Sequence, residues 1–118
     1  MNNDNHFQLI VIGGGPAGLA GAIEAAKLGF KDICLIERDT HLGGILRQCI
    51  HNGFGLHVFK EELTGPEYAY KWIEQLSNYP IKVLLETTVI DITKDKNLTV
   101  VNQDGLSYLS SDNILLAM

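Results

Sequence analysis

The sequence predicts an α/β fold, with helices on both faces of a parallel sheet that continues into a small antiparallel β-meander. An apolar run over residues 8–12 ends at glycines, and a helical pattern then leads to a second apolar run over residues 33–36. Two strands joined by a helix within about thirty residues form a βαβ unit, so these strands are expected to be parallel.

The first helix is predicted over residues 16–28. Pro16 suits the first helical turn, and Gly29 is placed to end the helix. Small and apolar residues recur between them at helical spacing, namely Ala17, Leu19, Ala20, Ile23, Ala26 and Leu28.

The second half of the chain begins with a helix and continues with strands alone. Thr64 and Glu67 fit a capping box, and Pro80 ends the helix. Its apolar stripe, expected to be core, consists of Tyr68, Trp72, Ile73, Leu76 and Tyr79. Strands are then predicted over residues 81–85, 87–92, 98–101, 106–109 and 113–117, with a hairpin at 102–105.

Composition and charge exclude several classes of partner. The formal net charge is −5 and no cluster of basic residues is present, so no nucleic-acid partner is expected. The apolar runs are too short to span a bilayer, and the first residues do not form a secretory signal. The two cysteines, Cys34 and Cys49, imply no disulfide framework, which favours a cytoplasmic location.

The strongest motif is the G-x-G-x-x-G formed by Gly13, Gly15 and Gly18 between a strand and a helix. Gly13 allows the tight turn, Gly15 lets a pyrophosphate approach the backbone, and Gly18 lets the helix pack closely on the strand. The helix N-terminus, which includes Pro16 and Ala17, offers N–H groups and a partial positive charge to phosphates. This context predicts a dinucleotide-binding site of the Rossmann type.

An acidic residue at the end of the second strand supports this prediction. Glu37 lies nineteen residues after Gly18, where its carboxylate can accept hydrogen bonds from both ribose hydroxyls of an adenosine and repel a 2′-phosphate. Arg38 follows it. Two interpretations of Arg38 stay open, contact with the adenosine or a solvated surface position.

A second glycine pair, Gly43 and Gly44, carries a family resemblance when it is taken with the motif and the Glu37–Arg38 pair. The chain resembles the N-terminal part of the two-dinucleotide-binding-domain flavoproteins, the pyridine nucleotide-disulfide oxidoreductase superfamily, which includes thioredoxin reductase and glutathione reductase. These proteins also insert a strand-only meander after the third parallel strand. The resemblance implies FAD as the cofactor, with its pyrophosphate at the glycine motif and its ribose at Glu37.

The resemblance extends the predicted cofactor site beyond the motif. It places Gly43, Gly44 and Ile45 in the loop that passes the flavin ring, and we add Val89, in the predicted meander, to the FAD-binding residues. Residues 43–57 look closest to bacterial NAD(P)/FAD-dependent oxidoreductases that resemble amine- and hydroxy-acid-oxidising dehydrogenase subunits.

One departure separates the chain from the glutathione reductase type. Those enzymes carry two cysteines a few residues apart after the glycine pair, whereas Cys49 has no such partner. No dithiol relay is therefore predicted in this segment, although a dithiol formed by cysteines in another domain, as in thioredoxin reductase, stays open.

No metal site is predicted, because Cys49, His51 and His57 have no fourth ligand at a recognisable spacing. His51 and Asn52 are interpreted either as contacts of the flavin or substrate, or as turn residues.

The last five residues, 114–118, resemble the apolar strand that leads into an Ala-Thr-Gly turn in this family. We therefore expect residues 1–118 to be a truncated FAD-binding domain that lacks the nicotinamide-binding domain and the final FAD-domain segment. The expected function is the FAD-binding portion of an oxidoreductase whose flavin exchanges electrons with NAD(P) in full-length relatives. We also expect FAD to bind weakly and NAD(P) to bind only in the missing domain. Homo-oligomers are expected to form through an uncovered sheet edge.

Two other functions stay open at this point. The chain can be an NAD-binding dehydrogenase domain, which the glycine pair and the meander disfavour, or a non-enzymatic dinucleotide-binding module. No catalytic residue is assigned, and activity from this piece alone is not expected.

Overall fold

A computed structural model describes residues 5–43 and 65–118 of the chain. In these ranges the strands are β1 (His6–Ile12), β2 (Ile33–Ile36), β3 (Ile81–Leu84), β4 (Thr88–Ile92), β5 (Asn97–Asn102) and β6 (Gly105–Leu116). The helices are α1 (Pro16–Lys27) and α2 (Gly65–Leu76). Thr64 of the predicted capping box lies outside the described residues.

The strands form one sheet in the order β3-β2-β1-β6-β5-β4. β1 pairs in parallel with β2 and with β6, and β2 pairs in parallel with β3, which confirms the predicted βαβ unit. β4, β5 and β6 pair in antiparallel fashion and form the predicted meander. The predicted hairpin is also confirmed, since Asn102 pairs with Gly105, whose φ is +112°.

The prediction of two separate strands over residues 106–109 and 113–117 is wrong, because β6 is one strand of 12 residues. Its residues up to Ser110 pair with β5, and from Ser110 onward they pair with β1. The polar residues 110–112 interrupt the apolar pattern where the strand changes partners. Hydrogen bonding to one neighbour and then the other keeps the backbone extended across that interruption.

The two faces of the sheet are covered differently. Alternate residues of β1 and β2 point to opposite faces, and both strands are buried along their paired residues. One face packs against both helices and includes Leu9, Val11, Ile33, Leu35, Leu19, Ile23 and Leu76. The other packs against the meander and includes Ile10, Ile12, Cys34, Ile36, Leu98, Val100 and Leu109.

Both described helices therefore lie on the same face, so the expectation of helices on both faces is not met within residues 5–43 and 65–118. The meander covers the second face instead. The predicted apolar stripe is confirmed as core. Leu76 is buried in the helix-side core, and three partly buried residues of the stripe pack against that core, namely Trp72, Ile73 and Tyr79. The side chain of Tyr68 is outside the part of the chain that the structure describes. Among the described residues, no helix is long and apolar enough to cross a bilayer.

Cys34 lies in the middle of the meander-side core and is 0% exposed. Burial raises the pKa of its thiol from 9.0 to about 12, against a smaller lowering by the positive charge of Lys82. We expect this thiol to resist a disulfide labelling reagent in the folded protein at pH 8 and to react fully on unfolding, because the thiolate is the reactive form.

A Cys49→Ser variant makes the measurement specific, since Cys34 is then the remaining thiol. The raised pKa also has a consequence for stability. The stabilising contribution of the neutral thiol is complete below pH 9 and is lost as the pH rises from 9.0 toward about 12, where the unfolded thiol ionises first. Rapid labelling of the folded Cys49→Ser protein at pH 8 would contradict the burial of Cys34.

Candidate dinucleotide-binding site

The glycine turn begins where β1 ends, in a conformation that few residues other than glycine adopt. Gly13 has a φ of +116°, and its N–H donates a hydrogen bond to the carbonyl oxygen of Ile36 at 2.8 Å. A Cβ at Gly13 would lie 2.6 Å from the carbonyl oxygen of Ala117, just beyond the end of β6. Conformation and space therefore both require glycine at this position.

Gly18 and Gly15 have different physical roles in the motif. A Cβ at Gly18 would overlap the carbonyl oxygen of Gly13, so α1 lies directly against the turn. A Cβ at Gly15 would meet no heavy atom of residues 5–43 and 65–118 within 4 Å. Gly15 therefore leaves open space beside the backbone, whereas Gly18 allows close packing, as the motif predicts.

The first turn of α1 presents its backbone to this open space. Pro16 is at the start of the helix, and the N-cap Gly15 makes no side-chain capping hydrogen bond. N–H groups of a first helical turn, here those of Ala17 and Gly18, have no acceptor within their own helix. No acidic side chain stands in this turn of α1, so the partial positive charge of the helix N-terminus is available to an anion.

The carboxylate of Glu37 is held beside the glycine turn by two backbone N–H groups. Its Oε1 accepts a hydrogen bond from the Gly14 N–H at 2.7 Å, and its Oε2 accepts one from the Asp39 N–H at 2.7 Å. The residue is half-buried at the end of β2. Because a carboxylate has about four lone-pair sites, each oxygen retains capacity for one further donor.

A cavity of about 1020 Å³ opens at the carboxyl ends of β1, β2 and β6. It brings together most of the predicted site residues, namely Gly13, Gly15, Pro16, Ala17, Glu37, Arg38 and Val89. Gly18 packs beneath the turn instead. The Gly43 N–H donates to the carbonyl oxygen of Gly14 at 2.7 Å, while Gly44 and Ile45 lie outside the described residues.

Sequence reasoning missed the part of the cavity wall between β3 and β4. Thr87 and Thr88 line the cavity, as does Asp39. The Thr87 N–H donates to the carbonyl oxygen of Glu37 at 3.1 Å, and the Glu86 N–H donates to that of Asp39 at 2.9 Å. These bonds extend the β2–β3 pairing and bring the start of the meander beside Glu37. No local sequence signal marks this long-range contact.

Residues that sequence reasoning considered in the loop after β2 are not placed. Cys49, His51, Asn52 and His57 lie outside the described residues, so their predicted roles stay predictions. Within residues 5–43 and 65–118, no group of three or more histidine, cysteine, aspartate or glutamate side chains is arranged to hold a metal ion.

The cavity lies where β1 has parallel neighbours on both sides, which is the crevice where open α/β sheets bind ligands. Its walls are a glycine turn, a helix N-terminus and a strand-end carboxylate. Together the fold and the site define a dinucleotide-binding domain of the Rossmann type.

The chain belongs to the pyridine nucleotide-disulphide oxidoreductase family, whose sequence model matches residues 7–118. The family consists of flavin-dependent oxidoreductases, and its members use FAD and NAD(P). The predicted resemblance is therefore confirmed.

Individual relatives and solved structures agree with this assignment. The chain is 37% identical to dihydrolipoyl dehydrogenase of Buchnera aphidicola over 115 residues, 92% of this chain and 22% of that protein. It is 34% identical to thioredoxin reductase of Ureaplasma parvum over 85 residues, 71% of this chain and 26% of that protein. L-proline dehydrogenase from P. horikoshii matches with a TM-score of 0.80 at 25% identity, over 96% of this chain and 22% of that one.

Thioredoxin reductase from Streptococcus pyogenes has the same fold, with a TM-score of 0.79 at 21% identity over 98% of this chain and 36% of that one. The chain thus spans roughly a fifth to a third of the length of these proteins.

The different roles of Gly18 and Gly15 predict different effects of the same substitution on folding. Gly18→Ala is expected to lower the free energy of unfolding by about 3 kcal/mol, because the methyl group overlaps backbone that cannot rotate away. Gly15→Ala, the matched control, is expected to lower it by about 1 kcal/mol at most, the usual cost of alanine at an N-cap. Urea unfolding followed by circular dichroism measures both, and equal effects would contradict the packing role of Gly18.

Proposed function

We propose that this chain binds FAD and that residues 1–118 are the FAD-binding part of an oxidoreductase whose flavin exchanges electrons with NAD(P). One observation carries the proposal. The Glu37 carboxylate is fixed at 2.7 Å from the Gly14 N–H, on the wall of a cavity that the glycine turn and the N-terminus of α1 also line. Family membership supports the same cofactor.

The described residues fit the adenosine diphosphate half of this cofactor. The N-terminus of α1 receives the pyrophosphate, since Gly15 leaves its backbone accessible from the cavity. The remaining lone pairs of Glu37 accept hydrogen bonds from the ribose hydroxyls. A 2′-phosphate would lie next to this negative charge, so NADP is disfavoured at the site.

The meander favours FAD over NAD at this site. A doubly wound NAD-binding domain continues with further helices, whereas this chain continues with β4, β5 and β6. Val89 of β4 lines the cavity, so the meander forms part of its wall. When bound, the flavin supplies the electron-transfer chemistry, and the chain binds and orients it.

Titration calorimetry with FAD, NAD and NADP tests this proposal. We expect FAD to bind most tightly and NADP least. Gly15→Val is expected to reduce FAD affinity about tenfold or more, because a branched side chain would fill the space that the pyrophosphate needs.

The fold of Gly15→Val should be intact by circular dichroism, since a Cβ there meets no atom of the described residues within 4 Å. NAD that binds as tightly as FAD would overturn the flavin assignment. Unchanged FAD affinity in Gly15→Val would place the phosphates away from this turn. The titration also measures directly whether binding is weak, which stays a prediction.

Substitutions at Glu37 test the ribose contact. Glu37→Ala is expected to weaken FAD binding about tenfold or more, because a hydrogen bond to a charged group contributes roughly 1.5–3 kcal/mol. Glu37→Gln keeps an oxygen that can accept the Gly14 N–H but replaces the second acceptor, so an intermediate loss is expected.

Removal of the charge by Glu37→Gln should also narrow the difference in affinity between NAD and NADP. Glu24→Ala is the control, since Glu24 is an exposed carboxylate of α1 that does not line the cavity. A loss below about twofold in Glu37→Ala would place the adenosine elsewhere.

We also propose that the chain self-associates through the edge of its sheet. β4 is a terminal strand in the sheet order and carries Ile90 and Ile92, which are 56% and 41% exposed. An unpaired strand edge with apolar side chains favours pairing with another chain. Sedimentation velocity is expected to show a dimer or larger species that Ile90→Lys weakens. A monomer at all concentrations would refute the proposed self-association.

The cytoplasmic location stays a prediction.

A further inference from the structure

Gly14 occupies a position that the G-x-G-x-x-G motif leaves open, yet several contacts meet there. Its N–H donates to Oε1 of Glu37 at 2.7 Å, and its carbonyl oxygen accepts the Gly43 N–H at 2.7 Å. Gly14 and Gly43 are both buried. The glycine turn, the end of β2 and the segment after β2 are therefore joined at one residue.

The space that a side chain of Gly14 would need is already filled. A Cβ would lie 2.6 Å from Cδ2 of Leu42 and 3.0 Å from both Cβ and Oε1 of Glu37. Leu42 is 9% exposed and belongs to the helix-side core, where close packing leaves little room for its side chain to move. A methyl group at Gly14 would therefore press on the Glu37 carboxylate.

We propose that Gly14 sets the position of the Glu37 carboxylate and is a positioning residue for ribose recognition. We call Gly14, together with the Leu42 side chain packed beside it, the steric lock. This inference rests on the proposed function, since the ribose is the group that Glu37 receives. Leu42 fills the volume beside Gly14, and the carboxylate is seated on the Gly14 N–H. In this position Glu37 lines the cavity, and among the described residues only Gly14 and Asp39 donate to its carboxylate.

The probe for the lock is a pair of ligands that differ only at the ribose. ADP contains the adenosine and pyrophosphate of the dinucleotide, and 2′-deoxy-ADP lacks one hydroxyl that Glu37 can bind. We expect the wild-type protein to prefer ADP by about tenfold, the effect of one hydrogen bond to a charged group. This ratio of affinities reports the carboxylate position and is not changed by a general loss of stability.

Three variants separate the lock from ordinary packing. Gly14→Ala is expected to reduce the preference for ADP to below about threefold, because the carboxylate is displaced. Leu42→Ala removes the 2.6 Å contact, so in the variant that combines it with Gly14→Ala the methyl group can shift into the freed volume and away from Glu37. This double variant should return the preference to within about twofold of wild type. Gly21→Ala is the matched control, since a Cβ there would lie 2.7 Å from Cδ2 of Leu115 but away from Glu37, and it should keep the wild-type preference.

Calorimetric titration of each variant with both ligands tests the steric lock, and circular dichroism verifies that each variant is folded. The lock is wrong if Gly14→Ala prefers ADP over 2′-deoxy-ADP as strongly as wild type does. It is also wrong if the double variant prefers ADP no more strongly than Gly14→Ala does. If Gly14→Ala does not fold, the double variant has to fold and prefer ADP as wild type does, or the lock is wrong. A wild-type protein that binds both ligands equally contradicts the proposed ribose site itself, whereas the outcomes above leave that site intact.

Discussion

The close approach of α1 to the end of β1 is the constraint on which the rest of the site depends. There is no room for a side chain between Gly18 and the carbonyl oxygen of Gly13, so the helix starts immediately where the strand ends. This contact fixes where the N-terminus of α1 points and how far it lies from β2 and β6. A methyl group at Gly18 would push α1 away from the end of β1. The turn would then open, and the N–H groups at the start of α1 would move away from the cavity.

The carboxylate of Glu37 turns this packed corner into a binding site of defined polarity. Its two oxygens are each held by a backbone N–H at 2.7 Å, one from the glycine turn and one from Asp39. The negative charge is therefore positioned before any ligand arrives, which reduces the ordering cost of binding. The same corner offers positive partial charge from the helix N-terminus, so opposite polarities lie along one cavity, suited to a ligand with both phosphates and sugar hydroxyls.

The meander and β6 determine how this corner is enclosed. β6 pairs with β5 along its first half and with β1 along its second half, so it continues the parallel sheet while it carries the antiparallel strands. Its continuity places Ala117 beside Gly13, where the 2.6 Å approach of its carbonyl oxygen excludes a Cβ. The meander then covers the face opposite the helices, and the residues that lead into it, including Thr87, complete the wall next to Glu37.

The sequence by itself determined the local elements and the chemistry of the site. Buried strands, the helix start at Pro16, the glycine motif and the acidic residue at Glu37 are visible locally, because glycine conformations and apolar periodicities act over a few residues. Only the tertiary structure decided which faces the helices cover, that β6 is one strand, and that Thr87 and Leu42 reach the site. Those features depend on contacts between residues far apart in the chain, such as Thr87 with Glu37 and Leu42 with Gly14, and no local pattern encodes which distant backbone will supply the partner.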